Sequence, residues 1–221
     1  MAEALGADGG FVAVEVGVVE GVDALLLVEL AVNGAALVGP GKLAQDVLGL
    51  DQAPVVLQRG ARVQPVSLLQ TEYSVFERDV EGAILPVLRE LGIGFVPYSP
   101  LGRGFLTGAV MPAGEYEEGD MRRWDDRWQG ANYSANLAAV QGLTALAESK
   151  GITVTQLALG WLLAQGEEIV PIPGTRSATR VAENAAAADV MLTLSDLTRV
   201  HELLPNGSCG TRYPAEMLPS W

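Results

Sequence analysis

The sequence predicts an α/β protein built on a parallel sheet, and three observations lead to this prediction. From residue 65 onward, apolar runs of strand length alternate with amphipathic stretches of helix length. The apolar runs are nearly continuous, as expected for parallel strands that helices cover on both faces. Polar and glycine-rich loops follow these runs, and sheets of this class carry their ligand sites in such loops.

The first part of this alternation reads as strand, helix, strand. Residues 66–70 form an apolar run of strand length. In residues 81–91 the apolar side chains share one helical face, and Gly92 is a typical helix stop. The apolar run at 93–98 is the next predicted strand.

The second half of the chain predicts one more strand and several helices. The strand is 168–173, and its prolines place it near an end or edge of the regular pairing. Thr153 and Ser195 are suitable N-terminal caps for the helices that they precede. The predicted helices cover residues 136–149, 155–165, 178–188 and 195–204.

Residues 1–64 differ in composition from the rest of the chain. Phe11 is their single aromatic residue, they contain no histidine, and valine recurs throughout. Their predicted elements are a strand at 11–16, either a strand or a buried helix at 22–32, and a short helix at 42–48. We therefore divide the chain into the segments 1–64 and 65–221.

The charge and residue counts exclude several classes of function. Fourteen Lys and Arg against 27 Asp and Glu give a net charge of −13, which repels nucleic acid. One cysteine and one histidine rule out an internal disulfide, a cysteine-based metal cluster and any mechanism that needs two histidines. The apolar stretch 11–32 carries four acidic residues, so we expect no membrane helix. The first residues lack the basic region of a secretory signal, and we expect a cytoplasmic protein.

Three loops that follow the predicted strands are candidate ligand sites. Gly174 and Thr175 open a helix whose free N–H groups favour an anion, and Arg176 and Arg180 stand on the same turn. This pattern suits a phosphate, although from charge alone two solvated arginines on a surface helix are the more frequent arrangement. The glycines of the 99–104 loop allow close approach of a diphosphate, or serve turn geometry alone.

Two further residues at strand ends have side chains suited to a cofactor. The amide of Gln70 can donate and accept hydrogen bonds, as a carboxamide ligand requires. The ring of Tyr98 offers a face on which a planar ring can stack. Both residues are equally compatible with a purely structural place in a sheet.

Four segments of the chain resemble the aldo-keto reductase family in order and spacing, and they are most similar to the bacterial and plant branch related to potassium-channel beta subunits. These segments are Leu-Gln-Thr-Glu-Tyr-Ser at 69–74, Leu-Arg-Glu-Leu-Gly-Ile-Gly-Phe at 88–95, Tyr-Ser-Pro-Leu-Gly-Arg-Gly-Phe-Leu-Thr-Gly at 98–108 and Ile-Pro-Gly-Thr-Arg at 172–176. The resemblance runs from about Pro65 to about Leu218 and does not extend into residues 1–64.

The resemblance implies an NADPH-dependent (β/α)8 barrel that reduces aldehydes or ketones. In such a protein Gln70 would hold the nicotinamide carboxamide and Tyr98 would stack on the nicotinamide ring. The diphosphate would lie along Ser99, Leu101, Gly102 and Arg103. The adenosine 2′-phosphate would be held by Gly174, Thr175 and Arg176, and the adenine end by Arg180, Glu183 and Asn184. The two arginines near one turn favour NADPH over NADH.

The catalytic residues of the family do not appear where the resemblance would place them. The family uses a Tyr acid, a Lys paired with an Asp, and a His, all from the earlier strands. Residues 1–64 contain no Tyr and no His, and their one lysine, Lys42, sits in a helical pattern. The family's Ser-Asn pair before Gln70 is also missing, His201 reads as a structural histidine, and Tyr73 lacks a neighbouring lysine. We therefore predict no catalytic set and doubt that the chain is active alone.

The length of the chain leads to the same expectation. A barrel of about 250 residues uses about 31 residues per strand and helix, so residues 1–64 hold roughly two units where the family has five. We expect an incomplete barrel whose exposed edges promote self-association. Two alternatives to a working reductase stay open: a non-catalytic NADP-binding module, and a truncated gene product without function preceded by unrelated sequence.

Overall fold

The computed structural model describes residues 4–5, 11–17, 27–32, 53–63 and 66–213. The chain divides into two compact units, one formed by residues 1–71 and 79–96 and the other by residues 72–78 and 97–221. The strands are β1 (Ala4–Leu5), β2 (Phe11–Gly17), β3 (Leu27–Val32), β4 (Leu68–Glu72) and β5 (Gly94–Tyr98). The helices are α1 (Ala53–Val63), α2 (Val80–Leu91), α3 (Gly130–Ser149), α4 (Val154–Leu163), α5 (Ala178–Ala185) and α6 (Leu194–Leu203).

The described strands form a five-stranded mixed sheet in the order β1-β2-β3-β4-β5. β1 pairs with β2 and β2 with β3 in antiparallel register, whereas β3 and β4 run parallel and pair Leu27 with Leu68. The prediction of a parallel sheet rests on the elements after residue 65, so these antiparallel pairs lie outside it. The connection from Gly17 to Leu27 is shorter than the dozen or more residues that a parallel crossover needs, so an antiparallel pairing is the available one.

The helices of the first unit contact each other through apolar side chains. α2 buries Ile84, Leu85 and Leu88, and α1 buries Leu57. α2 ends at Gly92, whose φ of 65° is left-handed and whose N–H donates to the last turn, as the sequence predicts. The helix predicted at 81–91 is confirmed, and β4 begins two residues later than the predicted strand 66–70.

The predictions for residues 1–64 have mixed outcomes. β2 confirms the strand predicted at 11–16, and β3 shows that the strand alternative holds for the second half of 22–32. The short helix predicted at 42–48 lies outside the described residues. α1 is a helix that the sequence reading missed. Its proline does not prevent a helix, because it lies in the first turn, where a helix tolerates proline.

The core of the second unit surrounds α4, which is buried along most of its length. α4 contacts α3 and α5, and α3 also contacts α6. An aromatic cluster centred on Phe105 lies beside these helices, with the rings of Phe76 at 5.1 Å and Trp128 at 4.8 Å. Short 3₁₀ turns occupy Gly102–Thr107, Ala113–Glu115, Met121–Arg123, Asp126–Trp128 and Ala186–Asp189.

The strand predicted at 168–173 does not form a regular strand. The segment is largely irregular, and the N–H of Ile172 donates to the carbonyl of Pro97 at 3.3 Å. Pro171 and Pro173 have no N–H to donate, so the segment cannot build a continuous ladder. The sequence indicated from these prolines an end or edge of the regular pairing, and the structure shows that the apolar run does not form a regular strand.

The second-unit helices agree with the predictions in place and differ at their ends. α3 begins at Gly130, six residues before the predicted start, and the helix predicted at 178–188 becomes α5 followed by a 3₁₀ turn. Thr153 caps α4 as predicted, through a capping box with Gln156.

Ser195 is not the cap of the last helix. Thr193 caps α6 instead, and Asp196 completes a capping box with it. A capping box needs an acid or amide three residues after the cap, and only Thr193 has one at that spacing. Among the described residues, no helix combines the length and apolar character that a membrane span requires.

Gly207 lies where the C-terminal part of the second unit packs closely against the backbone of Phe76. Its φ is +80°, and a Cβ there would lie 2.5 Å from the carbonyl oxygen of Phe76. We expect Gly207→Ala to lower the free energy of unfolding by about 2–4 kcal/mol, because the left-handed backbone and the clash both oppose a side chain. Gly151→Ala, with a φ of +69° and no atom within 4 Å, should cost about 1 kcal/mol. Equal urea midpoints for the two variants would contradict this close approach.

Asp196 gives a pH-dependent prediction. The pKa of Asp196 is lowered to about 2, because the Lys150 ammonium and then Thr193 donate hydrogen bonds to its carboxylate. The folded pKa lies below the unfolded value of about 3.9, so the stabilisation is complete above that value and is lost as the pH falls to about 2.

Asp196→Asn should therefore be less stable than the parent at pH 7, by about 1 kcal/mol or less because the pair is near the surface. The difference in free energy of unfolding between the parent and Asp196→Asn, measured by urea unfolding, should shrink as the pH falls from 4 to 2. The control is Asp189→Asn, because Asp189 is exposed and has no ion pair among the residues that the structure describes. A difference that is independent of pH would argue against the ion pair.

Candidate functional site

The loop after β5 has an unusual backbone. Ser99 and Arg103 are the two non-glycine residues of the described chain with a positive φ, at 49° and 56°, and Gly102 and Gly104 also have positive φ, at 54° and 95°. The N–H of Gly102 donates to Ser99 and that of Gly104 to Leu101, so the loop is tightly wound. A left-handed conformation costs an L-residue about 1–2 kcal/mol. Other contacts must hold this loop in place.

The side chain of Arg103 provides such contacts. Its guanidinium donates to Asp125 at 2.6 Å, to Glu72 at 3.1 Å and to the carbonyl of Arg212 at 2.9 Å. The side chain is 7% exposed and both carboxylates are fully buried. Burial alone would lower the pKa of Arg103, but the Coulombic attraction of Glu72 and Asp125 outweighs it and raises the pKa above the usual value.

A second arginine extends this buried network. Arg127 donates to the other oxygen of Glu72 at 3.0 Å and to Glu77 at 2.5 Å, and its side chain is 1% exposed. Glu72 is thus held between two guanidinium groups, one on each oxygen. We call Glu72, Glu77, Asp125, Arg103 and Arg127 the buried ion cluster.

Tyr98 and Tyr213 lie next to the buried ion cluster. The Tyr98 hydroxyl is 3.4 Å from that of Tyr213, and the Tyr213 ring lies 5.0 Å from the Arg103 guanidinium carbon. Tyr98 is half-buried, so part of its ring is accessible. Its position at the end of β5 agrees with the accessible ring that the sequence predicts, and its stacking role stays a prediction.

The segment 174–184 has the features of an anion site. Ser177 caps α5 by accepting from the N–H of Arg180, and Thr175 accepts from the N–H of Ser177 at 3.2 Å. Arg176 and Arg180 are exposed, and neither guanidinium has a partner among the residues that the structure describes. The arrangement therefore offers two uncompensated cations beside the positive end of a helix.

The two loops begin at neighbouring backbone positions. The N–H of Ile172 donates to the carbonyl of Pro97. Pro97 directly precedes Tyr98, and Ile172 lies two residues before Gly174, so this bond links the starts of the 99–104 loop and the 174–184 segment.

The remaining predicted site residues are partly buried. Glu183 and Asn184 are half-buried, and the carbonyl of Glu183 accepts from the Gln156 amide at 3.3 Å. Gln70 lies on β4 in the first unit, where it is half-buried, and its role stays a prediction.

Two residues discussed at the sequence level have a clear structural place. Tyr73 is fully buried with its ring 5.4 Å from that of Trp161, so it is a core residue. His201 is exposed, with Nδ1 3.3 Å from the Arg78 guanidinium, which agrees with a structural role.

Sequence reasoning missed Glu72, Glu77, Asp125 and Arg127. The only available signal was their charge in otherwise aromatic or apolar surroundings, such as the run Trp-Asp-Asp-Arg-Trp at 124–128. That signal does not tell which charges are paired, because the partners are separated by up to 55 residues. The same pairing involves Arg103, which the family resemblance places along the diphosphate: its guanidinium contacts two carboxylates, and its role toward a cofactor stays a prediction.

Comparison with known proteins is consistent with this geometry. The model of the aldo/keto reductase family matches residues 50–205. The chain is 40% identical over 172 residues to aldo-keto reductase yakc of Schizosaccharomyces pombe, whose name specifies NADP(+), and 38% identical over 179 residues to probable aldo-keto reductase 1 of Glycine max. These matches cover 76% and 80% of this chain and 51% of each relative, so the chain spans about half the length of the curated relatives it matches.

A solved structure shows the corresponding similarity of fold. The glycerol dehydrogenase AKR11B4 from Gluconobacter oxydans superposes with a TM-score of 0.65 at 26% identity. The match covers 76% of this chain and 50% of that enzyme.

The buried ion cluster predicts a strong effect of removing one partner. Arg127→Met would leave Glu72 and Glu77 without one of their cations in a site that excludes water, so we expect a loss of about 3–5 kcal/mol in the free energy of unfolding. Arg199→Met breaks the exposed pair with Glu202 and should cost less than about 1 kcal/mol. Urea unfolding of both variants measures the difference, and similar losses would show that burial of the cluster has no energetic consequence.

Proposed function

The chain belongs to the aldo/keto reductase family, and on this premise we propose that it binds NADP(H), with the adenosine 2′-phosphate on residues 174–180. The main support for this proposal comes from Arg176 and Arg180. Their guanidinium groups are exposed, have no partner among the described residues, and lie beside the capped start of α5. A phosphate monoester carries close to two negative charges at neutral pH and suits such a site. A dinucleotide without the 2′-phosphate would leave these cations unused.

The rest of the cofactor would follow the loop after β5. Ser99, Leu101 and Gly102 would line the diphosphate with backbone groups, and Ser99 and Gly102 adopt a positive φ in this turn. Gly102 leaves little room for a larger residue, since a Cβ would lie 3.2 Å from the Phe76 ring. Tyr98 would stack on the nicotinamide. On this proposal, the chain corresponds to the later strand and helix units of the family's barrel.

NADPH, when bound, supplies a hydride to a carbonyl carbon in this family, and the protein has to supply a proton to the oxygen. We propose that this chain alone lacks that proton donor. Its five tyrosines are Tyr73, Tyr98, Tyr116, Tyr133 and Tyr213, and all lie in the described part of the chain. In this family a lysine close to the tyrosine acid lowers its pKa.

The lysines do not provide that cation within the described residues. Lys150 is paired with Asp196 at 2.7 Å, at the end of α3. Burial raises the pKa of Tyr133, which is the opposite of what an acid catalyst requires. The other lysine of the chain is Lys42, and it lies outside the described residues. The inference is therefore a cofactor-binding protein with little or no carbonyl reduction of its own.

Carbonyl reduction is the second candidate function, and the names of the relatives favour it. The Schizosaccharomyces pombe relative is named for NADP(+), and the Gluconobacter oxydans structure is a glycerol dehydrogenase. On this hypothesis a second polypeptide, or a longer form of this protein, supplies the catalytic tyrosine and lysine.

NADPH binding is tested by titration, following the fluorescence of the reduced nicotinamide. We expect the parent chain to bind NADPH more tightly than NADH. Arg176→Ala should weaken NADPH about tenfold, which corresponds to about 1.4 kcal/mol, and leave NADH nearly unchanged. Arg199→Ala, an exposed arginine of α6, should change neither affinity. No binding of either cofactor by the parent, or equal losses for both cofactors in Arg176→Ala, would contradict the 2′-phosphate assignment.

Turnover is tested separately. With a panel of aldehydes and ketones, NADPH oxidation by the purified chain should not exceed the rate in buffer, because the proton donor is missing. Steady oxidation that depends on the amount of protein would overturn the proposed inactivity and favour the second candidate function.

A further inference from the structure

We propose that Glu72 and Asp125 are positioning residues for the cofactor, because their ion pairs with Arg103 hold the 99–104 loop in the conformation that lines the diphosphate. This inference rests on the proposed NADP(H) binding. It adds two residues that would touch neither the cofactor nor the substrate. It also changes the role of Arg103, from a direct ligand of the diphosphate to the anchor of the loop.

The loop requires an anchor because its backbone is intrinsically unfavourable. Ser99 and Arg103 both adopt a positive φ, although an L-side chain disfavours that region. The two turn hydrogen bonds, from Gly102 to Ser99 and from Gly104 to Leu101, fix the shape of the turn. Neither bond ties the turn to the rest of the second unit.

The Arg103 side chain makes that tie at three points distant in sequence. Glu72 lies at the end of β4, Asp125 immediately precedes the Asp126–Trp128 turn, and the carbonyl of Arg212 lies near the end of the described chain. The N–O distances are 3.1, 2.6 and 2.9 Å respectively. A planar guanidinium with five donors in a fixed arrangement restricts orientation as well as distance.

The two carboxylates are themselves held in place. Arg127 donates to Glu72 at 3.0 Å, and the N–H of Arg127 donates to the second oxygen of Asp125 at 2.9 Å. Both acids are therefore held by Arg127 as well as by Arg103, and these shared contacts restrict their positions.

Charge decides against a direct contact of Arg103 with the diphosphate. The buried ion cluster has three carboxylates against two guanidinium groups, with the Arg212 guanidinium 4.0 Å from Glu72, so it carries no excess positive charge to attract an anion. The exposed Arg176 and Arg180 have no such compensation among the described residues. Arg103 thus contributes through the shape of its loop.

The test uses the full chain and two ligands, NADPH and adenosine 2′-monophosphate. The second ligand carries the 2′-phosphate and adenosine but neither phosphate of the diphosphate. Asp125→Asn should weaken NADPH about tenfold and change the binding of the monophosphate less than about twofold. The control is Glu77→Gln, which alters the same buried ion cluster at Arg127 without touching Arg103, and it should weaken neither ligand beyond about twofold.

The outcomes separate the two proposals. Unchanged NADPH affinity in Asp125→Asn, or equal losses for both ligands, would overturn the positioning role while leaving the proposed function in place. Failure of the parent chain to bind either ligand would overturn the proposed function and the positioning role together.

Arg103→Lys is the second variant, and it keeps the positive charge in case Asp125→Asn does not fold. A lysine cannot reproduce the planar arrangement that contacts both acids at once. We expect the same selective loss of NADPH affinity, with binding of adenosine 2′-monophosphate retained as the check on folding. Full NADPH affinity in Arg103→Lys would show that charge is sufficient and would overturn the proposal.

Discussion

The pairing of Glu72 with two arginine side chains is the interaction on which the second unit depends. Glu72 is completely buried, and each of its oxygens accepts from a different guanidinium. A buried carboxylate without such partners would be strongly destabilising. Residues from widely separated parts of the sequence must therefore come together before this unit is complete. The loop after β5 is shaped by that requirement.

The structure separates its arginines into two groups with different uses. Arg103 and Arg127 are buried and compensated by acids, and they fix geometry. Arg176 and Arg180 are exposed and lack partners among the described residues, and they are available to a phosphate. The chain has a net charge of −13, which repels anions overall, and this local exception is where the proposed anionic cofactor would bind.

Local signals in the sequence predicted α2 with its stop at Gly92, α4 with its cap at Thr153, and the exposed arginines of the 174–180 segment. These features depend on neighbours within one turn of chain, which a sequence shows directly. The segment 168–173 failed because its missing donors matter only when a partner strand is known. The ion pairs of Arg103 were beyond the sequence for a similar reason, since Glu72 and Asp125 are far away in sequence and their burial is a property of the folded unit. The antiparallel β1, β2 and β3 also lay beyond a reading based on the alternation of the later elements.

Hydrogen–deuterium exchange of the whole chain, with and without saturating NADPH, is the most direct test of cofactor binding by the loop after Tyr98 and the start of α5. The account predicts slower exchange in two separate peptides, one covering the loop after Tyr98 and one covering the start of α5. These are the two places that would contact the diphosphate and the 2′-phosphate. Unchanged exchange at the start of α5 under saturating NADPH would contradict the account, whatever happens elsewhere in the chain.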